Sequence, residues 1–286
     1  MKKILLNPNP TRDIDLECTK KVAAFFLENG VGVSIPEEIE GAETTGAVVE
    51  PFDDAVKGAD LVVSFGGDGT LLDTASRVSS LGIPVVGINI GRIGYMAEIE
   101  SHEIEYLRNI LDGNYRVEER MMLDVSVRRD DETVFNDTAL NDAVVFKNGA
   151  SWTVDMDIYA DNMFISHYSG DGVIIATPTG STAYSLSAGG PIIDPISRNI
   201  TITPVCTHAL TAKPIVLFYN RVINIIPHNK SEKAISVSVD GGKGFDLRDG
   251  DVLTIRMSDI KTKLIHVKNN NFYDVLYTKL SDRRFD

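Results

Sequence analysis

The sequence predicts an amino-terminal α/β domain followed by a second, mainly β domain. Apolar strand-like segments alternate with helical segments from Ile4 to about Glu100, and this order is typical of a mostly parallel sheet covered by helices. Near residues 116–120 the pattern changes, and short alternating stretches separated by turns continue to about Ile265. Such alternation favours antiparallel β structure.

The α/β domain begins with a strand, a helix and a second strand. A strand is predicted from Ile4, and residues at helical spacing follow it: Ile14, Cys18, Val22 and Phe25 or Phe26. Asn29-Gly30 ends this helix before the strand at residues 31–35. A βαβ unit therefore opens the chain.

A glycine-rich stretch, Ser64–Leu72, follows the buried strand predicted at residues 61–65. Its glycines allow a phosphate to approach the main chain, and a helix from Leu71 to about Ser80 would place Gly69 and Thr70 near a helix N-terminus that favours anions. Asp68 is a poor anion ligand, so it is a candidate for holding a metal or taking a proton. The alternative interpretation is a tight strand-to-helix turn with Asp68 as the helix cap.

A second glycine loop, Gly91-Arg92-Ile93-Gly94-Tyr95, leaves the strand predicted at residues 83–90. In doubly wound sheets, ligands bind beyond the carboxyl ends of strands, which allows the two loops to face one cleft. Ser101 is the expected cap of a helix that runs through Leu111.

One stretch of the β domain, residues 169–191, is rich in hydroxyl groups, small residues and glycines. This composition packs well against a polar ligand. Thr177 or Thr179 is expected to cap a short helix through Ser187, which would place Ala183 and Ser187 on one face. A capped surface helix with a glycine stop explains the same composition.

Asn141-Asp142 lies inside an apolar, strand-like run at residues 139–145. Polar groups in such a run must be satisfied or used. A bulge or a strand end is the alternative interpretation.

The composition excludes several classes of protein. A formal charge of −13 over 286 residues argues against a nucleic-acid or anionic-membrane partner. The only cysteines, Cys18 and Cys206, exclude a disulfide framework and are both expected to be buried apolar residues. The amino terminus reads as a first strand and not as a signal peptide. Because no apolar run approaches the roughly 18 residues of a membrane span, a cytoplasmic protein is expected.

Several catalytic motifs are missing from the sequence. It has no GxxxxGK[ST] phosphate loop, no protein-kinase HRD or DFG signature and no Gly-x-Ser-x-Gly elbow. The histidines show no metal-ligand spacing. They are His102, His167, His208, His228 and His266.

Taken together, the motifs closely resemble those of the NAD kinase family. The matching pieces are Gly66–Thr70, Asn89–Tyr95, Asn141-Asp142, Asp171-Gly172 and Thr177–Pro191, and Asn271–Leu276 resembles the closing segment of the family. Diacylglycerol-type lipid kinases and phosphofructokinases carry loops similar to the first piece. The long threonine, serine and glycine stretch is the specific one.

The resemblance implies a fold and an activity. The fold is a Rossmann-like α/β domain at residues 1–120, a β-sandwich at 121–265 and a final segment, 266–286, that returns to the first domain. The activity is transfer of the terminal phosphoryl group of ATP, or of polyphosphate, to the 2′-hydroxyl of the adenosine ribose of NAD, giving NADP. Mg²⁺ or another divalent metal is the implied cofactor, without a tight protein cage, and homodimers or homotetramers are implied.

The resemblance also implies site residues, in a cleft with Asp68 on the side of one domain and residues 179–187 on the side of the other. Asp68 is the general base. The phosphate and ATP residues are Gly66, Gly67, Gly69 and Thr70. The NAD residues are Asp68, Gly69, Tyr95, Asn141, Asp142, Asp171, Thr179, Thr182, Ala183, Tyr184, Ser185, Leu186, Ser187 and Gly242. No side chain is assigned as a metal ligand.

Two positions depart from the family pattern. Many members carry glutamate at the position of Asp142, so the contact here is shorter or bridged by water. Position 169, here serine, is often basic in relatives.

Two other functions remain open at this point. A diacylglycerol-type lipid kinase shares the glycine-rich loop, although the acidic composition and the Thr179–Ser187 stretch argue against it. A non-catalytic dinucleotide sensor is the other alternative, and the intact Asp68 argues against that.

Overall fold

The computed structural model describes residues 1–91, 94–149, 152–207, 212–228, 234–269 and 271–282, the last four of them by backbone alone. The chain divides into two compact units. The first unit comprises Met1–Glu119 together with Thr262–Asp286, and the second comprises Arg120–Lys261. From the sequence, these divisions are expected after residues 120 and 265.

Eighteen strands and six α-helices make up the described part of the chain. The strands are β1 (Lys3–Pro8), β2 (Gly32–Pro36), β3 (Val48–Glu50), β4 (Leu61–Gly66), β5 (Val85–Asn89), β6 (Ile99–Glu100), β7 (Arg116–Arg129), β8 (Glu132–Ala139), β9 (Asp142–Lys147), β10 (Val154–Ala160), β11 (Met163–Gly170), β12 (Gly172–Ala176), β13 (Asn199–Val205), β14 (Ile215–Phe218), β15 (Ile223–His228), β16 (Ile235–Val239), β17 (Phe245–Leu247) and β18 (Val252–His266). The helices are α1 (Glu17–Glu28), α2 (Phe52–Ala55), α3 (Asp68–Val78), α4 (Leu107–Leu111), α5 (Tyr184–Ser187) and α6 (Phe272–Asp282). Among the described residues, none of the helices has the length and apolar character needed to cross a membrane.

A parallel sheet forms the centre of the first unit. Its strand order is β3-β2-β1-β4-β5, and β6 and the end of β18 also pair with β5 in parallel. The chain runs outward from β1 to β3 and then crosses to β4 on the other side of β1, so the strand order reverses between β1 and β4. In open α/β sheets this reversal is where ligands bind, beyond the carboxyl ends of the strands. Here Asn9, just after β1, donates its backbone N–H to the carbonyl of Phe65 at 2.9 Å.

The first helix begins later than the apolar spacing predicts. Ile14 lies in a short 3₁₀ turn and is 63% exposed, whereas α1 starts at Glu17. The buried Asp13 carboxylate accepts the backbone N–H groups of Cys18 and Thr19, both at 2.9 Å. Because these N–H groups belong to the first turn of the helix, Asp13 sets where the helix starts. The inclusion of Ile14 in the helix was therefore wrong.

Ser101 was also wrong as a helix cap. Its backbone N–H donates to the carbonyl of Asn89 at 3.2 Å, and this bond continues the pairing of β6 with β5. The helix begins after a 3₁₀ turn, at Leu107.

Two antiparallel sheets form the second unit. One has the order β11-β10-β15-β18-β7-β8 and the other the order β14-β13-β12-β9-β16-β17. Alternate side chains of both sheets are fully buried in one shared core, among them Val125, Ile158, Ile175, Ile202 and Val237. The α/β class of the first domain and the β-sandwich class of the second are therefore confirmed.

The two cysteines differ in their surroundings. Cys18 is buried in α1, and burial raises the pKa of its thiol to about 12. Cys206 is exposed, at a backbone φ of +47° just after β13. The expectation that both are buried was wrong for Cys206. The alternation of apolar residues in the sequence does not show that β13 ends at Val205, just before this cysteine.

Glu98 holds the end of β18 in the first unit. Its carboxylate accepts the backbone N–H groups of Val267 and Lys268, both at 2.8 Å. The Nδ1 atom of His266 lies 2.8 Å from the same carboxylate. Burial lowers the pKa of His266, but the nearby carboxylates of Glu118, 3.6 Å from its Nε2 atom, and of Glu98 outweigh this effect and raise the pKa overall.

The stabilisation from His266 should depend on pH. A raised folded-state pKa means that the ion pair is fully present below the unfolded-state pKa, about 6.5, and is lost as pH rises through the folded-state value. We expect His266→Asn to lower the free energy of unfolding by on the order of 1 kcal/mol near pH 6 and by less near pH 9. Urea unfolding followed by circular dichroism measures both values. The exposed His102→Asn is the control, and an equal loss at both pH values would contradict the prediction.

Candidate functional site

The glycine-rich loop places Asp68 at the first residue of α3. Gly66 ends β4, and Gly67 is the N-cap residue of α3 without a side-chain cap. The helix therefore starts at Asp68, three residues before Leu71. The Asp68 carboxylate does not cap this helix, because it accepts the backbone N–H groups of Tyr95 at 2.7 Å and Met96 at 3.0 Å.

These hydrogen bonds join the two glycine loops that the sequence singled out. A Cβ atom at Gly94 would lie 2.2 Å from Oδ1 of Asp68, so only glycine lets the second loop approach the carboxylate this closely. Tyr95 is partly buried beside it. Arg92 and Ile93 of the same loop lie outside the described residues.

The glycines among the four predicted phosphate residues differ in the space around the position of a Cβ atom. Gly66 is buried, and a Cβ there would lie 2.3 Å from the hydroxyl of Thr70. At Gly67 and Gly69, in contrast, no described atom lies within 4 Å of where a Cβ would stand, and neither residue has a positive φ. Protein packing therefore does not require glycine at these two positions, whereas a ligand that approaches the main chain would require it.

Asp240 organises the Asn141-Asp142 pair in the second unit. Its carboxylate accepts the backbone N–H groups of Leu140, Asn141 and Asp142 at 2.7, 2.8 and 2.9 Å. Its own N–H donates to the carbonyl of Asp142 at 2.9 Å. One side chain thus satisfies three successive donors at the start of β9, where the sequence showed two unexpected polar residues.

The two carboxyl groups of this pair have altered acidity. Asp142 is 5% exposed, and burial, followed by the nearby charge of Asp240, raises its pKa to about 7. Burial also raises the pKa of Asp240, although its three hydrogen bonds with N–H groups act in the opposite direction. Both carboxyl groups are therefore harder to ionise than an exposed aspartate, mainly because both are buried.

The hydroxyl-rich segment packs directly against Asn141. Thr177 donates its hydroxyl to the carbonyl of Leu140 at 2.6 Å and its backbone N–H to the carbonyl of Asn141 at 2.9 Å. A Cβ at Gly180 would lie 2.1 Å from that Asn141 oxygen. Two motifs that are distant in the sequence are therefore in contact.

The predicted single helix through Ser187 was wrong. Thr179–Thr182 forms a 3₁₀ turn, Ala183 has non-helical dihedral angles (φ −92°, ψ −128°), and α5 covers only Tyr184–Ser187. Ala183 and Ser187 therefore do not share a face through i, i+4 spacing. Side-chain bonds tie the segment down on both sides of the break: Ser181 donates to the carbonyl of Pro178, and Ser185 is hydrogen-bonded to Thr203.

The predicted NAD residues of this segment differ in exposure. Thr179, Thr182 and Ser185 are buried, Ala183 and Leu186 are partly buried, and Tyr184 and Ser187 are exposed. The Ser185 hydroxyl points to Thr203 at 2.9 Å, so it lies inside the unit. Elsewhere in the second unit, Gly242 is exposed, and Asn141 and Asp171 are partly buried.

Comparison with known proteins identifies the family. Residues 1–115 match the ATP-NAD kinase N-terminal domain, and residues 140–267 match the ATP-NAD kinase C-terminal domain. An NAD kinase of Thermoanaerobacter sp. (strain X514) is 37% identical over 284 residues, which cover 99% of this chain and 100% of that protein. This chain belongs to the NAD kinase family. An NAD kinase of Caldanaerobacter subterraneus subsp. tengcongensis is 38% identical over 99% of this chain and 100% of its own length.

Solved structures share the fold. A crystal structure of yeast NADH kinase complexed with NADH has a TM-score of 0.89 at 24% identity, covering 100% of this chain and 89% of that chain. An NAD kinase from Archaeoglobus fulgidus in complex with ATP has a TM-score of 0.73 at 26% identity, covering 98% of this chain and 99% of that chain. The NAD kinase fold therefore extends over both units.

Three contacts that position this family's motifs here were not predicted from the sequence. Asn9 donates its side-chain amide to the Thr70 hydroxyl at 3.2 Å, Lys147 lies 2.6 Å from the Asp171 carboxylate, and Asp240 holds Asn141-Asp142. Asp240 lies two residues before Gly242, which the resemblance assigns to NAD, and this proximity was the signal for it in the sequence. Asn9 and Lys147 carry no local pattern.

Replacement of Asp142 should change how stability depends on pH. With a folded-state pKa of about 7 against about 3.9 unfolded, wild type has its full proton-linked stability below pH 4 and loses it as pH rises through 7. Asparagine does not titrate. We expect the free energy of unfolding of Asp142→Asn, relative to wild type, to rise between pH 4 and pH 8 by on the order of a few kcal/mol.

Urea unfolding at several pH values measures this difference. Asp131→Asn, at an exposed turn position of the same unit, is the matched control and should show no such rise. A difference between Asp142→Asn and wild type that stays constant from pH 4 to pH 8 would contradict the prediction.

Proposed function

We propose that this chain transfers the terminal phosphoryl group of ATP to the 2′-hydroxyl of the adenosine ribose of NAD, giving NADP. The observation that carries the proposal is the position of Asp68. In a chain of the NAD kinase family, this carboxylate stands beside open glycine backbone at the carboxyl edge of a parallel sheet. That edge, where the strand order reverses, is the usual ligand site of such sheets.

Asp68 is proposed as the general base for the ribose hydroxyl. The N–H groups of Tyr95 and Met96 fix its orientation by one hydrogen bond to each oxygen. A carboxylate oxygen is an acceptor that suits the hydrogen of a substrate hydroxyl. A base held within hydrogen-bond reach of the proton that it removes is the geometric requirement of this catalysis.

The first turn of α3 is proposed to hold phosphate through the backbone at Gly67, Gly69 and Thr70. N–H groups at the start of a helix, together with the helix dipole, favour an anion, and the backbone N–H of Thr70 also donates to the carbonyl of Gly67 at 3.1 Å. Phosphoryl transfer depends mainly on in-line positioning and on stabilisation of charge. The loop supplies both without a nucleophilic side chain.

A divalent metal fits this site. Mg²⁺ is usually held by one or two carboxylates together with substrate phosphates, and the partly exposed carboxylate of Asp68 offers such oxygen atoms. When bound, the ion would offset the negative charge of the donor phosphates.

The Asn141, Asp142 and Asp171 side chains are proposed to bind NAD, together with the hydroxyl-rich segment. Carboxylates and amides suit the ribose hydroxyls and the carboxamide, which present O–H and N–H donors. The ring of Tyr184 is 49% exposed and suits stacking on a ring of the dinucleotide. The proposed set is completed by Asp68, Gly69, Tyr95, Thr179, Thr182, Ala183, Ser185, Leu186, Ser187 and Gly242.

Further properties are proposed from the family resemblance. They are a cytoplasmic location, assembly as a homodimer or homotetramer, and use of polyphosphate as an alternative donor. The charge of −13 supports a protein without nucleic-acid or anionic-membrane partners.

Asp68→Asn should abolish most NADP formation while NAD still binds. Loss of a general base typically costs 10²- to 10⁴-fold in rate, and asparagine keeps the shape of the side chain. A coupled assay of NADPH after incubation with NAD, Mg²⁺ and ATP measures turnover, and calorimetry measures NAD binding. Asp73→Asn, an exposed carboxylate on the same helix, is the control. Full turnover by Asp68→Asn would exclude the role of base.

Gly69→Ala should stabilise the protein but impair catalysis. Because a Cβ at Gly69 meets no described atom, the protein should tolerate alanine, and its stability should rise by about 0.5–1 kcal/mol through helix propensity. The added methyl group would obstruct a phosphate at the main chain, so the KM for ATP should rise or kcat should fall. Ser76→Ala, exposed on the same helix, should leave both kinetic constants unchanged. Unchanged kinetics in Gly69→Ala would argue against the phosphate cradle.

A further inference from the structure

Two histidines and an aspartate meet on the second unit, away from the NAD kinase motifs in the sequence. Asp157 lies on β10, His167 on β11 and His228 on β15. Asp157 pairs directly with His167 across β10 and β11, and with Ile226 across β10 and β15. His228 stands two residues beyond Ile226. All three side chains therefore lie on the same face of three neighbouring strands.

This face is the outer one. The alternate residues Met156 and Ile158 are fully buried in the core of the unit. The side chains of the cluster are in contrast accessible, with 51% of His167, 39% of His228 and 23% of Asp157 exposed. An ion in solution can therefore reach the cluster without any opening of the fold.

The donor atoms already converge. The Nδ1 atom of His167 lies 2.8 Å from Oδ1 of Asp157, and the Nε2 atom of His228 lies 2.9 Å from Oδ2. One ligand atom from each residue lies within 4.8 Å of the other two. Metal–ligand bonds of about 2.0–2.2 Å in a tetrahedral site hold the ligand atoms about 3.3 Å apart. Small side-chain rotations would bring this set to that spacing, because the strand pairing already fixes the backbone.

We propose that Asp157, His167 and His228 form a binding site for a divalent transition-metal ion of the zinc class. Two imidazole nitrogens and one carboxylate oxygen suit Zn²⁺, whereas Mg²⁺ and Ca²⁺ prefer oxygen ligands throughout. Three protein ligands leave a fourth position for water. Asp155, on the same face and paired with His228 in register, adds a second carboxylate that attracts a cation.

The surroundings of Asp157 favour its ionised form, which is the form that binds a cation. A hydrogen bond with His167, and a further one with His228, lower the pKa of Asp157 despite partial burial. A bound ion would replace these two hydrogen bonds by coordination bonds to the same three side chains.

Such an ion would cross-link distant parts of the chain. His167 and Asp157 belong to one hairpin, whose two-residue turn has positive φ at Asp161 and Asn162. His228 comes from β15, far along the sequence. A ligand that binds only the folded state raises its apparent stability. The ion should therefore raise the unfolding temperature, by about 5 °C at a concentration 100 times its Kd.

Titration of the metal-free full-length protein with Zn²⁺ tests the site by calorimetry, without any measurement of kinase activity. We expect the wild type to bind one Zn²⁺ per chain at this site. In His228→Ala and Asp157→Asn, this binding should be absent or at least tenfold weaker. His102→Ala, at an exposed histidine of the first unit, should bind as wild type does. A large excess of Mg²⁺ should not displace the ion. Equal Zn²⁺ binding by wild type and His228→Ala, or displacement by Mg²⁺, would overturn the proposal.

A second measurement needs no variant. Diethyl pyrocarbonate modifies accessible imidazoles, and mass spectrometry locates the modified histidines. Zn²⁺ should lower the modification of His167 and His228 severalfold and leave that of His102 unchanged. Equal modification of His167 and His228 with and without Zn²⁺ would overturn the assignment of the site to these residues.

Discussion

The hydrogen bonds from Tyr95 and Met96 to the Asp68 carboxylate fix the arrangement of the first unit's candidate site. They depend on the parallel sheet, in which Gly66 at the end of β4 lies opposite Asn89 at the end of β5. The loops after these strands therefore leave the same edge. Gly94 lets the second loop come close enough for both N–H groups to reach the carboxylate. The proposed base is thus oriented by the backbone, which moves less than side chains do.

In the second unit, the Asp240 carboxylate also accepts backbone N–H groups of a motif, here beside antiparallel strands. Three successive N–H groups at the start of β9 donate to its carboxylate, and the loop that contains Thr177 and Gly180 packs against the same backbone. Burial of two carboxyl groups here costs stability unless one of them holds a proton. A protein optimised for stability alone would avoid such a pair. Its presence at a predicted ligand segment fits a site that binds hydroxyl and amide donors.

Local patterns predicted much of the chain correctly, and the errors have identifiable causes. Apolar runs located β1, β2, β4 and β5, and the glycine motifs located the loops that follow β4 and β5. The predicted start of α1 was wrong, and the break at Ala183 was not predicted. The Asp13 carboxylate and the hydroxyls of Ser181 and Ser185 form hydrogen bonds that apolar periodicity does not represent. Those bonds are specific side-chain contacts, and tertiary packing decides them.

The sequence by itself determined the fold class, the family and the identity of the motif residues, because strand and helix periods and the glycine motifs are local properties. Tertiary structure alone decided which groups meet. The contact of Asp68 with the loop of Tyr95 requires β4 and β5 to pair in register. The hydrogen bonds of Asp240 with the backbone of Asn141 and Asp142 require β16, which ends just before Asp240, to lie beside β9. The cluster of Asp157, His167 and His228 requires three strands to pair, so spacing along the chain could not reveal it.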